Sequence, residues 1–280
     1  MIEYIKILIV SLVCGASLPL PVSSASHYSF LNSFINISDD SKTLGLYYSV
    51  IALTFSAVIF VLLRKIYSSS IRSLFDKDRK LTNYRKLMKN LALSLIPMIV
   101  LFIPMGEGKL LCDVFDEFLV KSNVLLVAFA SIICGLILVI SMWYTKESYA
   151  VTKRGADIKT VIRSSVYQLV SYVIPGFSHI SSATTNMLIC DVESKVVIRE
   201  IYLYIAPQMF IVNLVKLIRY ILGDTVINPI MIIISVIAAA VMSYIVVTKM
   251  SKINIRRILP FFAVYCIASG IIFCVLSLVL

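Results

Sequence analysis

The sequence predicts an all-α polytopic membrane protein: six transmembrane helices plus two re-entrant helical hairpins, arranged as an inverted-topology repeat. Three observations lead there. Of the 280 residues, 60% are hydrophobic and the mean hydropathy is +0.96, more apolar surface than one water-soluble core can enclose. Two Pro-x-x-Ser turns, Pro21-Val22-Ser23-Ser24 and Pro175-Gly176-Phe177-Ser178, each interrupt an apolar segment, and a shift of 154 residues lays one on the other. The lysines and arginines gather in a few loops between apolar segments.

In chain order, residues 4–38 are apolar but cut at Pro19 and Pro21. Spans follow at about 45–63, 90–105 with its flanks, and 122–144. A second broken region, 160–190, is cut at Pro175-Gly176, and three further spans cover about 201–222, 227–248 and 258–280. A helix of roughly 18–25 residues crosses a bilayer, whereas each half of a broken region has only about 11–17. At ~1.5 Å per residue the shorter arms reach little beyond mid-membrane, so both broken regions predict hairpins. A signal peptide over residues 1–26 is the competing reading of the first one, because small residues Ser23 to Ser26 follow the run Ile7 to Val13. Glu3 offsets Lys6 in what should be a basic leader, and a leader has no reason to match a mid-chain segment.

The 154-residue shift also pairs Ser24 with Ser178, Asp39 with Glu193, Tyr48 with Tyr202, Ile51 with Ile205, Ala52 with Ala206 and Lys65 with Arg219. The chain therefore predicts one membrane domain, 1–280, built of two repeats, about 1–144 and 145–280. Charge sets their orientation, since loops rich in Lys and Arg stay cytoplasmic. Such loops are 64–89 (Arg64, Lys65, Arg72, Lys77, Arg79, Lys80, Arg85, Lys86, Lys89), 145–163 (Lys146, Lys153, Arg154, Lys159, Arg163) and 249–257 (Lys249, Lys252, Arg256, Arg257). The 106–121 loop leans acidic, with Glu107, Asp113, Asp116 and Glu117. All three basic loops share a side only if 160–190 enters and leaves from that side. Both termini are then expected outside and the two halves inverted.

The net charge of +11 belongs to these topology signals and not to a nucleic-acid face. The six cysteines, at 14, 112, 134, 190, 266 and 274, form no C-x-x-C pair and mostly occupy apolar stretches. They read as small buried hydrophobes, neither a disulfide framework nor a zinc site.

Non-helical backbone at membrane depth must be enclosed by protein or line a wet cavity, so the two turns should face one another in an internal polar pocket. Ser23, Ser24, Ser26 and His27 surround the first; Ser178, His179, Ser181, Ser182, Thr184 and Thr185 surround the second. The chain's only two histidines fall at these breaks. The helix beginning after each turn presents free N–H groups and a positive dipole end, suited to an anion. Hydroxyls donate to phosphate oxygens or act as nucleophiles, and a His three residues from a Ser can take its proton. Any single Ser or Thr there is equally well explained as satisfying backbone groups freed by proline.

At these residues the chain resembles the bacterial undecaprenyl-diphosphate phosphatase family linked to bacitracin resistance. That family's first motif, Glu-Gly-x-x-Glu-x-Leu-Pro-x-Ser-Ser-x-Gly-His, is matched by Gly15, Leu20, Pro21, Ser23, Ser24 and His27. Its second, Pro-Gly-x-Ser-Arg-Ser-Gly-Ala-Thr, is matched by Pro175, Gly176 and Ser178, and by Ala183 and Thr184 with one residue inserted. Cys14 and Leu18 stand at the family's two glutamates, His179 at its arginine and Ser26 at a glycine. The family is expected to use Mg²⁺ or Ca²⁺, for which neither Cys14 nor Leu18 supplies a hard oxygen ligand.

The resemblance implies a protein of the bacterial plasma membrane that binds undecaprenyl diphosphate in the central pocket and hydrolyses it to undecaprenyl phosphate and phosphate. Ser24 is then the expected nucleophile and His27 its proton partner. Ser23, Gly176, Ser178, His179 and Thr184 are expected to hold the anionic oxygens. Expected partners are the polyprenyl lipid, the surrounding membrane lipids and a second copy of the chain, with no nucleic acid. Two other readings stay open at this point: a silent relative that binds or moves a polyprenyl phosphate, and an unrelated small-anion transporter.

Overall fold

The computed structural model describes residues 2–38, 40–76, 79–106, 108–115, 124–145, 155–174, 176–223, 225 and 227–279. Asp39, Lys77, Glu107, Asp116, Glu117, Lys146, Lys153, Arg154 and Pro175, all used in the sequence reading, lie outside the described residues.

The chain opens with a helix–turn–helix, α1 (Ile2–Ser17) and α2 (Ser24–Ile35). Lys6, at the start of α1, pairs with Glu3 at 2.9 Å and donates to the Asn36 carbonyl oxygen at 2.8 Å, so the far ends of the two helices meet. Asn36 caps α2 in the left-handed region at φ 43°, a conformation Asn tolerates. Helix α3 (Ser41–Leu62) starts at Asp40, whose carboxylate accepts from the backbone N–H of Lys42 and Thr43 and from the Thr43 hydroxyl. Burial pushes that carboxyl up, but the Thr43 and Lys42 hydrogen bonds outweigh it and hold it below the usual carboxylate range.

The basic stretch 64–89, expected as a loop, contains α4 (Arg64–Phe75) and the first part of α5 (Thr82–Leu95). Serines and charges interrupt the apolar period of these helices: on α4, Ser70 and Ser73 face inward while Ile71, Leu74 and Phe75 face outward. Arg85 of α5 donates to the carbonyls of Ser73 and Asp76 and closes this pair.

The span expected near 90–105 is α5 continued by a 3-10 helix, Ile96–Phe102. Pro97 has no N–H to give to the α-helical ladder, which accounts for the change of helix type. Then come α6 (Val124–Thr145), a second helix–turn–helix of α7 (Ile158–Val173) and α8 (His179–Ile189), and the long α9 (Val197–Leu222), α10 (Pro229–Met250) and α11 (Ile255–Val279). Among the described residues, five helices are long and apolar enough to cross a membrane: α3, α6, α9, α10 and residues Ile255–Ser277 of α11.

The core forms where α3 and α9 pack, with the Tyr202 ring edge-on to Phe55, and extends to Ile180, Ala183 and Met187 of α8 and to Val10 and Cys14 of α1. Gly15 lets α1 touch α10: a Cβ there would lie 2.7 Å from Ala239 Cα. Ser243 of α10 donates to the Gly15 carbonyl at 2.9 Å across that contact. The outward face of α10 exposes Ile230, Ile233, Ile237 and Val241. So continuous an apolar surface suits lipid and not water.

Candidate functional site

The first turn follows directly from α1. Leu18 N–H still reaches the Cys14 carbonyl at 2.9 Å, but Pro19 and Pro21 bring no donors, and the helix ends. The freed carbonyls are taken by distant residues: Tyr202 Oη donates to Pro19 O at 2.7 Å. Ser23 then restarts the chain as α2, its Oγ accepting from Ser26 N–H at 3.1 Å.

The second turn repeats this with one residue more between proline and helix cap. Gly176 sits at φ +106°, where L side chains rarely go, and a Cβ there would lie 2.6 Å from both Ala130 Cβ and the Val127 carbonyl oxygen of α6. Ser178 starts α8, accepting from Ser181 N–H at 3.2 Å. By position at the helix start, Ser178 therefore corresponds to Ser23, and Ser24 to His179. The pairing of Ser24 with Ser178 from the constant shift is corrected by one residue, because the second turn is longer between proline and cap.

The two turns touch. Ser181 Oγ donates to Pro21 O at 2.6 Å, and Cys266 Sγ of α11 lies 3.6 Å from the same oxygen. The start of α8 thus packs on the first turn at Pro21, and Ser23, Ser24 and Ser178 are each no more than 5% exposed. Ser26 Oγ, His179 Nδ1 and Thr184 Oγ1 are each buried without a hydrogen-bond partner. Orphaned polar atoms are costly in a packed interior. The His179 ring packs 4.4 Å from that of Tyr172.

Ser24 and His27 share α2 but are not hydrogen-bonded to one another. Ser24 Oγ lies 2.7 Å from Tyr48 Oη. His27 Nδ1 lies 2.6 Å from the Ser23 carbonyl oxygen, which can only accept, so Nδ1 carries the proton and Nε2 accepts from Tyr265 Oη at 2.7 Å. The His27 and Tyr265 rings stack at 5.8 Å, and Phe273 closes on His27 edge-on. Sequence reasoning singled out neither tyrosine as a site residue. Tyr48 carried a signal through its match to Tyr202; Tyr265, 238 residues from His27, carried none.

Beside His27 a cavity of about 360 Å³ opens between α1, α2, α10 and α11. Its walls are apolar, including Leu12, Ala16, Leu20 and Met242, and its polar lining is limited to Ser17, His27 and Tyr265.

The divalent metal implied by the resemblance finds no fitting donors here. Cys14 is fully buried, with its Sγ 3.9 Å from the Ser24 carbonyl oxygen, and Leu18 is 4% exposed and offers only carbon. Among the described residues no group of three His, Cys, Asp or Glu side chains converges as metal ligands. A thiol and an alkyl chain do not suit Mg²⁺ or Ca²⁺.

Comparison with known proteins gives this geometry a family. An undecaprenyl-diphosphatase of Lacticaseibacillus paracasei is 26% identical over 224 residues, covering 79% of this chain and 77% of its own length. Those of Clostridium tetani, 27% identical over 284 residues, and Halothermothrix orenii, 26% over 283, align along 98% or more of both chains. The sequence profile described as "Bacitracin resistance protein BacA" matches residues 7–272, and with its five membrane-length helices this chain is a multi-pass membrane protein belonging to the BacA family.

Proposed function

We propose that this protein is an undecaprenyl-diphosphate phosphatase of the bacterial plasma membrane, and that the two meeting turns form its head-group site. The observation that carries the reading is the contact of Ser181 with Pro21, which sets a serine-bearing turn against a helix start. The polyprenyl chain would lie in the apolar cavity beside His27 and continue into lipid. The α1–α2 and α7–α8 units are re-entrant hairpins of inverted repeats, the first entering from outside, where both termini lie, and the second from the cytoplasm. Their arms, 16 and 12 residues in the first and 16 and 11 in the second, are too short to span.

In this reading Ser24 Oγ attacks the terminal phosphorus, the bridging P–O bond breaks, and undecaprenyl phosphate leaves. Water then cleaves the phosphoserine, restoring Ser24 and releasing inorganic phosphate. The Ser24 proton passes to His27 Nε2, which requires the Tyr265 hydroxyl to leave that nitrogen. Negative charge on the phosphoryl oxygens is met by N–H groups at the start of α8 and by the side chains of Ser178, His179 and Thr184, with Ser23 holding the opposite turn. His179 grips less firmly than a guanidinium, lacking its fork of donors.

Purified protein given undecaprenyl diphosphate, with and without Mg²⁺ or Ca²⁺, is expected to release inorganic phosphate. Lipid binding without any release under either condition refutes the hydrolytic reading.

A further inference from the structure

From the geometry around Ser24 we infer that Tyr48 is a positioning residue for that serine, holding its oxygen for attack and stabilising the alkoxide as the proton leaves. The inference rests on the phosphatase reading above and assigns a task that neither motif contains.

The argument begins with what surrounds Ser24. Its Oγ is 2.7 Å from Tyr48 Oη, a short, half-buried hydroxyl–hydroxyl contact. Both nitrogens of His27 are engaged elsewhere, Nδ1 by the Ser23 carbonyl and Nε2 by Tyr265, so Tyr48 is the side chain that holds Ser24 in this state. Tyr48 is itself supported: its ring meets Tyr28 edge-on at 5.2 Å, and Tyr28 is anchored by a 2.7 Å hydrogen bond to the Leu44 carbonyl one helical turn before Tyr48. The tyrosine paired with it by the 154-residue shift, Tyr202, also reaches the first turn but bonds the Pro19 carbonyl, so one fixes backbone and the other a side chain.

Either hydroxyl can donate in the resting state. Once Ser24 loses its proton the choice disappears, because an alkoxide only accepts, and Tyr48 must be the donor. A hydrogen bond to an ionised oxygen is roughly twice as strong as a neutral one. The interaction therefore tightens as the reaction starts, which is the condition for lowering the barrier and not merely binding substrate. Donation by Tyr48 also leaves the Ser24 proton free to go to His27.

The test is Tyr48→Phe in the full-length protein, which keeps the ring on Tyr28 and removes one oxygen. Tyr47→Phe serves as control, since the Tyr47 hydroxyl bonds Met231 Sδ away from the turns. Phosphate release from undecaprenyl diphosphate, lipid affinity and thermal stability are measured for each. The expected result is a kcat reduced about tenfold or more in Tyr48→Phe, with affinity within about threefold and melting unchanged; its rate should recover more steeply as pH rises, because the serine proton is held more tightly. Tyr47→Phe should match wild type. A Tyr48→Phe enzyme within about twofold of an active wild type overturns the role of Tyr48 and leaves the phosphatase reading standing. A wild type that binds lipid but releases no phosphate overturns both.

Discussion

Ser181 gives its hydroxyl proton to the carbonyl oxygen of Pro21 at 2.6 Å, joining two turns 160 residues apart in sequence. The same residue's backbone N–H is taken by Ser178 Oγ. One position thus completes the cap of α8 and fastens it to the first turn. Pro21 O belongs to a stretch with no local donor, so this contact and the weaker one from Cys266 satisfy a group that would otherwise be buried bare.

Ser181→Ala should therefore destabilise the protein by about 1–3 kcal/mol, the usual cost of stranding a buried acceptor. Ser181→Thr, which keeps the hydroxyl, should retain most of that. Thermal melting in detergent compares them; equal melting of wild type and Ser181→Ala would show that the turns are held by packing alone.

The turns themselves were legible because proline, glycine and serine at a break in apolar sequence have few other uses, and because the break recurs. Contacts between elements were not. The Tyr265–His27 pair depends on how α11 lies against α2, which no spacing encodes. The one-residue difference between the turns was visible only once both helix starts were located at Ser23 and Ser178. Helix α4 and the first part of α5 are not legible because their polar residues resemble a loop, while α3, α9 and α10 are marked by length and hydropathy.

At Gly176 two constraints coincide: a positive φ and a backbone carbonyl in the path of any Cβ. Gly176→Ala should lose more than the about 1–3 kcal/mol typical of a strained backbone position, with reduced yield of folded protein. Pairing it with Ala130→Gly should rescue only partly, since the Val127 carbonyl stays in place. Full rescue would mean that α6 moves as a body to admit the methyl group.

The proposed inverted arrangement predicts a labelling pattern. Single cysteines introduced by Ser68→Cys and Lys252→Cys should react only with reagents that reach the cytoplasm, and Met105→Cys only with reagents applied outside. Labelling of position 252 from outside would remove the hairpin reading of residues 160–190.

If the cavity beside His27 receives the polyprenyl chain, filling it should hurt the lipid and spare the head group. Ala16→Phe places a ring in that space. It is expected to weaken undecaprenyl diphosphate binding about tenfold or more, the loss of roughly 1.4 kcal/mol of apolar contact. Binding of inorganic diphosphate should not change. Equal losses for both ligands would place the tail elsewhere.

The central claim is that Ser24, at the helix start that follows the Pro21 turn, transfers a phosphoryl group. Phosphate release and lipid binding measured side by side on wild type and Ser24→Ala test it most directly. Wild type should release phosphate from undecaprenyl diphosphate; Ser24→Ala should bind the lipid with similar affinity, through the second turn and the cavity, and release none. Release at the wild-type rate by Ser24→Ala, or none by wild type, would contradict it.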